Sequence, residues 1–362
     1  MNGYFCLKTN YYSMRNYLII GIIVAIVVFL VFMIYFTEKP VKKLTGLEIA
    51  NMSYGFFDKM RRSNEWYNYS QTCKEEFPLT NCKIDSNSYP QTNAWVMLAN
   101  LGLYDATKEQ RHLNNAKYEM NVLLNNCKNP DDIYCLWVLV QMSELYKRAK
   151  DPDYLDKIQN FADKLLEIKT EEGVMMKGIE TREFAVAFSL TGDQKYLDES
   201  LNRLKTAEEY LKSEGVLYVV NDLQVRDFVC SVELAKLELY KVTEDEKYLN
   251  DVKTFFDSAD VGTHGEDLYQ LTVIQPCIES LLTLYFETGD VKYWNQALNL
   301  TYYMITYRWD SPLNMAKKYN GDGGFLFQTY QNENMKTVTD TGYAIYLLSI
   351  MKDAKFEIVK WR

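Results

Sequence analysis

One phrase recurs along this chain and narrows its fold more than any other feature. It reads Thr-Gly-Asp-Gln-Lys-Tyr-Leu from Thr191, Thr-Glu-Asp-Glu-Lys-Tyr-Leu from Thr243 and Thr-Gly-Asp-Val-Lys-Tyr-Trp from Thr288. Looser copies precede it: Asp-Pro-Asp-Tyr-Leu from Asp151 and Thr-Lys-Glu-Gln-Arg-His-Leu from Thr107. The anchoring ring falls at His112, Tyr154, Tyr196, Tyr248 and Tyr293, in steps of 42, 42, 52 and 45 residues. A period of that length marks a supersecondary unit that cannot bury its apolar face alone and must stack on its neighbours. The unit is a pair of helices. The Gly tolerates the left-handed conformation that ends one helix. The Asp then accepts from the free N–H groups that open the next, and the aromatic three residues later faces the preceding helix.

Strongly apolar segments precede the phrase and more charged ones follow it. The first kind belongs inside and the second outside. The pattern predicts inner helices over about 93–104, 132–148, 180–190, 224–241, 268–287 and 338–352, and outer helices over about 108–126, 152–168, 194–212, 246–257 and 291–307. A helix over 47–62 supplies a sixth outer member. Six of each predict an all-α, closed (α/α)6 toroid over residues 46–362; an open solenoid would need polar caps on its end repeats. Short β-like runs at 173–177, 215–220 and 324–327 each precede an inner helix. One end of the ring therefore carries the elaborate loops, and loops on a rigid scaffold are where function sits. The polar stretch 68–92 is too long for an ordinary connection.

The chain has 362 residues, 48% of them apolar, which is ample for a large core. Its net charge of -9 offers no basic stripe for a nucleic acid. Tyr17 to Phe36 is a run of 20 residues without a charge, enough to cross a hydrocarbon core of about 30 Å. No small-residue cleavage site follows it. The run predicts an uncleaved single-pass transmembrane anchor, with a tail at 1–16 and a juxtamembrane linker at 37–45. Lys8 and Arg15 precede it and Lys39, Lys42 and Lys43 follow, so the positive-inside rule does not orient it. Of seven cysteines, Cys73 and Cys82 flank one irregular loop and Cys127 and Cys135 another. Two close pairs read as local disulfides in an oxidising, extracytoplasmic compartment, or else as free thiols in the cytosol. Cys230 and Cys277 sit in apolar helices and read as small core residues. The cysteine spacings and the two histidines, His112 and His264, leave no zinc site, and no cofactor is expected. Asn51, Asn68 and Asn299 begin sequons at a frequency that chance alone supplies in so Asn-rich a chain.

With its Thr-Gly-Asp-x-Lys-Tyr phrases at 191 and 288, the Gly-Asp-Gly-Gly-Phe run from Gly321 and Asp340-Thr341-Gly342-Tyr343, the chain resembles the six-hairpin glycosidase superfamily. The resemblance covers about 47–352. It implies a substrate cleft at the loop-rich mouth, between inner-helix N-termini, and hydrolase, lyase or epimerase chemistry on carbohydrates. The Gly-rich run is also similar to that of prenyltransferase and terpene-cyclase toroids, but the aspartate-rich or metal-binding centre such chemistry needs is missing from the sequence. The His pair of sugar epimerases is missing too. Function does not follow from fold.

Glycoside hydrolysis needs two carboxyl groups, one held protonated as acid and one ionised as base or nucleophile. Acids stand at the inner-helix starts: Asp132, Glu180, Glu183, Asp222, Asp227, Asp267 and Asp340. Glu180, Asp222 and Asp340 follow a β-like run or Gly-rich loop and are the candidate catalytic residues. Helix capping alone would also put acids there. Arg182 and Arg226, each one residue ahead of an acid, are candidate substrate-gripping groups, able to hold an acidic sugar. Tyr218, Tyr269, Tyr330 and Tyr343 read either as cleft lining or as core. The 29 tyrosines and six tryptophans likewise read as helix packing or as sugar-stacking platforms. Gly321–Gly324 reads as a ligand cradle or a plain turn. Two functions stand: a membrane-anchored glycoside hydrolase, or a catalytically silent toroid that binds glycans or a partner protein.

Overall fold

A computed structural model describes residues 24, 26, 27, 42–62, 67–74, 82–85, 87, 89–127, 135, 138–168, 174–213, 223–258, 271–313, 321–330 and 333–358. Residues 1–41 form one compact unit and 42–362 another. In the first unit Val24, Ile26 and Val27 are helical and exposed; the rest of the predicted anchor lies outside the described residues. Among the described residues no helix is long and apolar enough to cross a membrane.

The second unit is built on twelve helices among the described residues. They are α1 (Gly46–Met60), α2 (Pro90–Thr107), α3 (Gln110–Asn126), α4 (Val138–Ala149), α5 (Asp153–Leu166), α6 (Val174–Thr191), α7 (Gln194–Ser213), α8 (Leu223–Thr243), α9 (Glu246–Ser258), α10 (Leu271–Thr288), α11 (Val291–Arg308) and α12 (Val338–Ile350). The even-numbered helices are inner. Each packs on the next, and α12 packs back on α2, so the ring is closed. The odd-numbered helices lie outside, α1 on α12, α3 on α2, α5 on α4, α7 on α6, α9 on α8 and α11 on α10. The predicted toroid is thus present, with its hairpins in the predicted order.

The recurring phrase is a turn written in side chains. Thr191, Thr243 and Thr288 each donate to the carbonyl four residues back, at 2.8, 2.7 and 2.7 Å. The same hydroxyls accept from the N–H of Asp193, Asp245 and Asp290. Each Asp then accepts from the N–H two residues on, the lysine. Gly192 and Gly289 sit at φ +71, while Glu244, Lys108 and Lys150 hold the same left-handed position without that freedom. Nothing lies within 4 Å of a Cβ at Gly192, so Gly192→Ala isolates the backbone cost. It is expected to lower stability by about 1 kcal/mol in urea unfolding. Tyr196, fully buried, donates from Oη to Asp163 at 2.6 Å, and Lys195 pairs with the same carboxylate at 2.7 Å. Tyr293, Lys292 and Asp257 repeat the arrangement. The Lys-Tyr of one outer helix therefore latches the end of the preceding outer helix.

Inner helices start, and outer helices end, at the face that carries the long connections, the mouth. The short turns make the opposite face. Strand β1 (Lys42–Thr45) pairs there with β6 (Lys355–Ile358), antiparallel, Lys42 opposite Ile358. Thr45 then opens α1 with a capping box to Glu48. At the mouth the structure adds a sheet that helical periodicity does not contain. Strands β2 (Ser70–Lys74), β3 (Cys82–Ile84), β4 (Leu326–Tyr330) and β5 (Glu333–Thr337) pair antiparallel in the order β3-β2-β5-β4. This accounts for part of the long polar stretch: it is a hairpin, with Cys73 opposite Cys82. Residues 174–177 of the β-like run at 173–177 are instead the first turn of α6, a tertiary override of their Val- and Met-rich composition. The run at 215–220 lies outside the described residues.

Three disulfides form. Cys73–Cys82 and Cys127–Cys135 are the two local pairs read from the spacing. Cys230–Cys277 is a correction: these are not two separate core thiols but a bond between inner helices α8 and α10.

Candidate functional site

Helix phase brings one group of side chains together on the toroid axis below the mouth. Arg182 of α6 donates from Nη2 to Glu279 Oε1 of α10 at 2.5 Å and holds Nε 3.7 Å from Glu238 of α8. Tyr343 of α12 donates from Oη to the other oxygen of Glu279. The Tyr343 ring stacks on Trp95 of α2, centroids 4.6 Å apart and planes 28° off parallel. Trp95 and Arg182 are each 8% exposed, Glu279 7% and Tyr343 4%. Each lies five to eight residues from the mouth end of its inner helix, so this nearly buried group sits beneath the mouth as its floor. Burial works against the Arg182 charge, but Glu279 and Glu238 outweigh it and raise its pKa. Burial and the Glu279 carboxylate push the Tyr343 phenol far above its ordinary value, so it stays a donor.

Nearer the short-turn face, ion pairs gather at the ends of the inner helices. Arg148 of α4 bonds Glu144 at 2.6 Å and Asp105 at 2.5 Å, and Lys147 bonds Glu144 at 2.7 Å. Burial would raise the Glu144 pKa, but the two cations bring it down to about 2. Gln141 shares the helix face of Glu144 and Arg148, three and seven positions on. It is 1% exposed, and neither amide atom has a hydrogen-bond partner among the described residues.

The candidate acids that the structure describes turn elsewhere. Glu180 is fully buried and accepts from Arg203 of α7 at 2.8 Å; Arg203 also bonds Glu199. Glu183 accepts from the N–H of Leu139 at 3.3 Å, capping the start of α4 from the neighbouring helix. Asp340 accepts from the hydroxyl of Thr337, which in turn accepts from the Asp340 N–H at 3.0 Å. Burial pushes the Asp340 carboxyl up to about 6, with its Thr337 and backbone bonds and the Arg308 charge opposing the rise. The three acids are thus not brought together. Asp132, Asp222, Asp267, Tyr218, Tyr269 and His264 lie outside the described residues. Arg226 and Asp227 fall on α8 and Tyr330 on β4, with side chains outside the described part. Of the residues singled out, Arg182 and Tyr343 meet at the floor. Arg182 is engaged by acids there, so its guanidinium is not an open grip. The Gly321–Gly324 run is a turn: a Cβ on Gly323 would meet the Met52 carbonyl oxygen at 2.5 Å, and Asp322 bonds Lys59 and Lys336.

A raised Asp340 makes a pH prediction. The folded state binds its proton more tightly than the unfolded chain, whose pKa is near 3.8. The stabilisation is complete below pH 4 and is lost as pH rises through 6, by about 3 kcal/mol. Wild-type urea stability should therefore fall from pH 4 to pH 7 relative to Asp340→Asn, which lacks the titration; parallel curves for the two would refute it.

Glu279 and Trp95 were missed in the sequence. One signal was available for Glu279: it is the lone charge in α10 from Leu271 to Phe286, and a charge in so apolar a run must be paired. A second concavity of about 520 Å³ lies on the outer wall between α3 and α5, lined by Asn121, Asn125, Asn160, Lys157, Lys164 and Phe161. None of the sequence candidates lines it.

A ring of six inner and six outer helices with a one-ended mouth is an (α/α)6 toroid. No protein-family model matches the chain, and no curated protein sequence does. Solved structures do match. An α-mannanase of glycoside hydrolase family 76 from Bacteroides thetaiotaomicron superposes with a TM-score of 0.61 at 12% identity, over 86% of this chain and 96% of its own. An inactive variant of the α-1,6-mannanase from Salegentibacter sp. HEL1_6, with two consecutive aspartates replaced and α-1,6-mannotriose bound, gives 0.60 at 13%, over 85% and 99%. An unsaturated glucuronyl hydrolase specific for heparin gives 0.60 at 11%, over 84% and 96%. At these identities the likeness is one of fold.

Proposed function

We propose that the protein is a membrane-anchored glycoside hydrolase whose mouth binds a carbohydrate outside the cytoplasm. The observation that carries the reading is the floor. Trp95 stacked on Tyr343 stands beside a carboxylate and a guanidinium, at the end of the ring where the long connections gather. Apolar walls with a few convergent polar groups are what a sugar site requires. The mannanase neighbours, one with mannotriose bound, support the same class of ligand. The uncharged run at 17–36 motivates the anchor, and three disulfides support an oxidising compartment.

Hydrolysis needs a carboxyl pair facing the bond. Glu180 is engaged by Arg203 and Asp340 by the cap of its own helix, so the reading turns to acids ahead of the inner helices. Asp131 and Asp132 are the chain's one pair of consecutive aspartates, ahead of α4, and a consecutive pair was replaced in the inactive Salegentibacter enzyme. Asp222 ahead of α8 is the other source. A second reading, glycan binding without turnover, is favoured by Glu279: the floor carboxylate is held by both Arg182 and Tyr343 and is poorly placed to move a proton. Reducing-end release from α-1,6-mannooligosaccharides by the full-length protein separates the two. Hydrolysis that disappears in Asp131→Asn/Asp132→Asn while mannotriose binding survives supports the enzyme. Binding without release supports the silent toroid. Neither binding nor release with any neutral or acidic glycan sinks both.

A further inference from the structure

We infer that the floor of the mouth takes a neutral sugar and turns away a uronic acid, a claim that rests on the glycan reading of the same mouth. The fold does not decide this, since it is shared by a mannanase and by an unsaturated glucuronyl hydrolase. The charges at the floor do. Its cation, Arg182, is bonded to Glu279 at 2.5 Å and faces Glu238 at 3.7 Å. Lys241 also reaches Glu238, at 3.4 Å, so each carboxylate here is matched by a cation and, among the described residues, no cation is left open. The Tyr343 hydroxyl is committed to Glu279 as well. Cations nearer the short-turn face are also engaged: Arg148 and Lys147 by Glu144.

A sugar carboxylate arriving here has two courses. It can displace Glu279 from Arg182, or it can lie beside that pair without a partner. Either way a carboxylate is left desolvated with no counter-charge, and a poorly solvated interior penalises that strongly. A neutral ring makes no such demand. Its C–H face can pack on the Trp95–Tyr343 pair, and the uncharged amide of Gln141 retains both donor and acceptor capacity.

The test is calorimetric titration of the full-length protein in detergent micelles, at neutral pH, with α-1,6-mannotriose and with a trisaccharide of equal length ending in glucuronate. The neutral sugar should bind at least about tenfold more tightly. Glu279→Gln, which removes the competing charge from Arg182, should narrow that ratio by tightening the uronate. Near-UV circular dichroism reports whether the variant is folded; if it is not, the wild-type ratio alone decides. Equal or tighter binding of the uronate by the wild type overturns the inference and leaves the glycan reading standing. Failure of both sugars to bind overturns the glycan reading and the inference with it.

Discussion

Lys336→Met should destabilise the toroid by about 3–5 kcal/mol, the range for removing one partner of a buried ion pair. Lys336, on β5, is fully buried. Its Nζ lies 2.9 Å from Asp310 and 2.9 Å from Asp322, and Asp322 also holds Lys59 of α1 at 2.8 Å. The N–H groups of Gly321 and Gly324 donate to the same two carboxylates. One ammonium thus ties the mouth sheet, the 321–324 turn and the first helix together. Burial raises the Asp322 pKa, but Lys336 and Lys59 outweigh it and hold the carboxyl below its ordinary value. Without Lys336, both carboxylates lose this ammonium, while Lys59 stays on Asp322. The loss should be largest at neutral pH and shrink on acidification, because protonation neutralises the carboxylates. Urea unfolding of both proteins at pH 4 and pH 7 measures it. A difference below about 1 kcal/mol at pH 7 would mean that water replaces the ammonium at little cost.

That network also marks where the sequence stops being informative. The Thr-Gly-Asp-x-Lys-Tyr turns could be read because each is closed by residues within a few positions: Thr191 on Ala187, Asp193 on Lys195. The inner and outer layers could be read because burial averages over a whole helix. An acid at a helix start is different. Capping chemistry places Glu180, Glu183 and Asp340 alike, but whether each points to the axis or between the layers depends on helix rotation within the ring. Here Glu180 turns to Arg203 and Asp340 to Thr337. The floor is likewise assembled from α2, α6, α8, α10 and α12, so no local spacing joins Trp95 to Arg182 or Glu279. The mouth sheet sets β2 beside β5, Ser70 opposite Thr337, a pairing no window of sequence contains. Lys336 itself reads as an ordinary strand charge until Asp310 and Asp322 are placed around it.

Removing the Cys230–Cys277 bond, as Cys230→Ala/Cys277→Ala, should cost about 4 kcal/mol, from the loop entropy of a 47-residue separation. The local bonds span 9 and 8 residues, and the same relation gives about 2.5 kcal/mol for each. The ranking is physical. A short clip restrains a segment that is already confined in the unfolded chain, whereas this bond joins inner helices of successive hairpins across all of α9. It also ties together the helices that carry Glu238 and Glu279, and Ser280 donates to the Cys230 carbonyl at 3.3 Å. If the mouth binds glycans as proposed, the double variant should lose that affinity as well as stability, while a Cys73→Ala/Cys82→Ala variant should lose mainly stability. Urea unfolding of the two variants gives the ranking. Thiol labelling of unreduced, denatured wild-type protein gives the premise. With three bonds intact, Cys6 is the one cysteine of seven left to react. Labelling at Cys230 and Cys277 would show them reduced in the native protein. The ring would then close between α8 and α10 by packing alone, and the expected 4 kcal/mol would vanish.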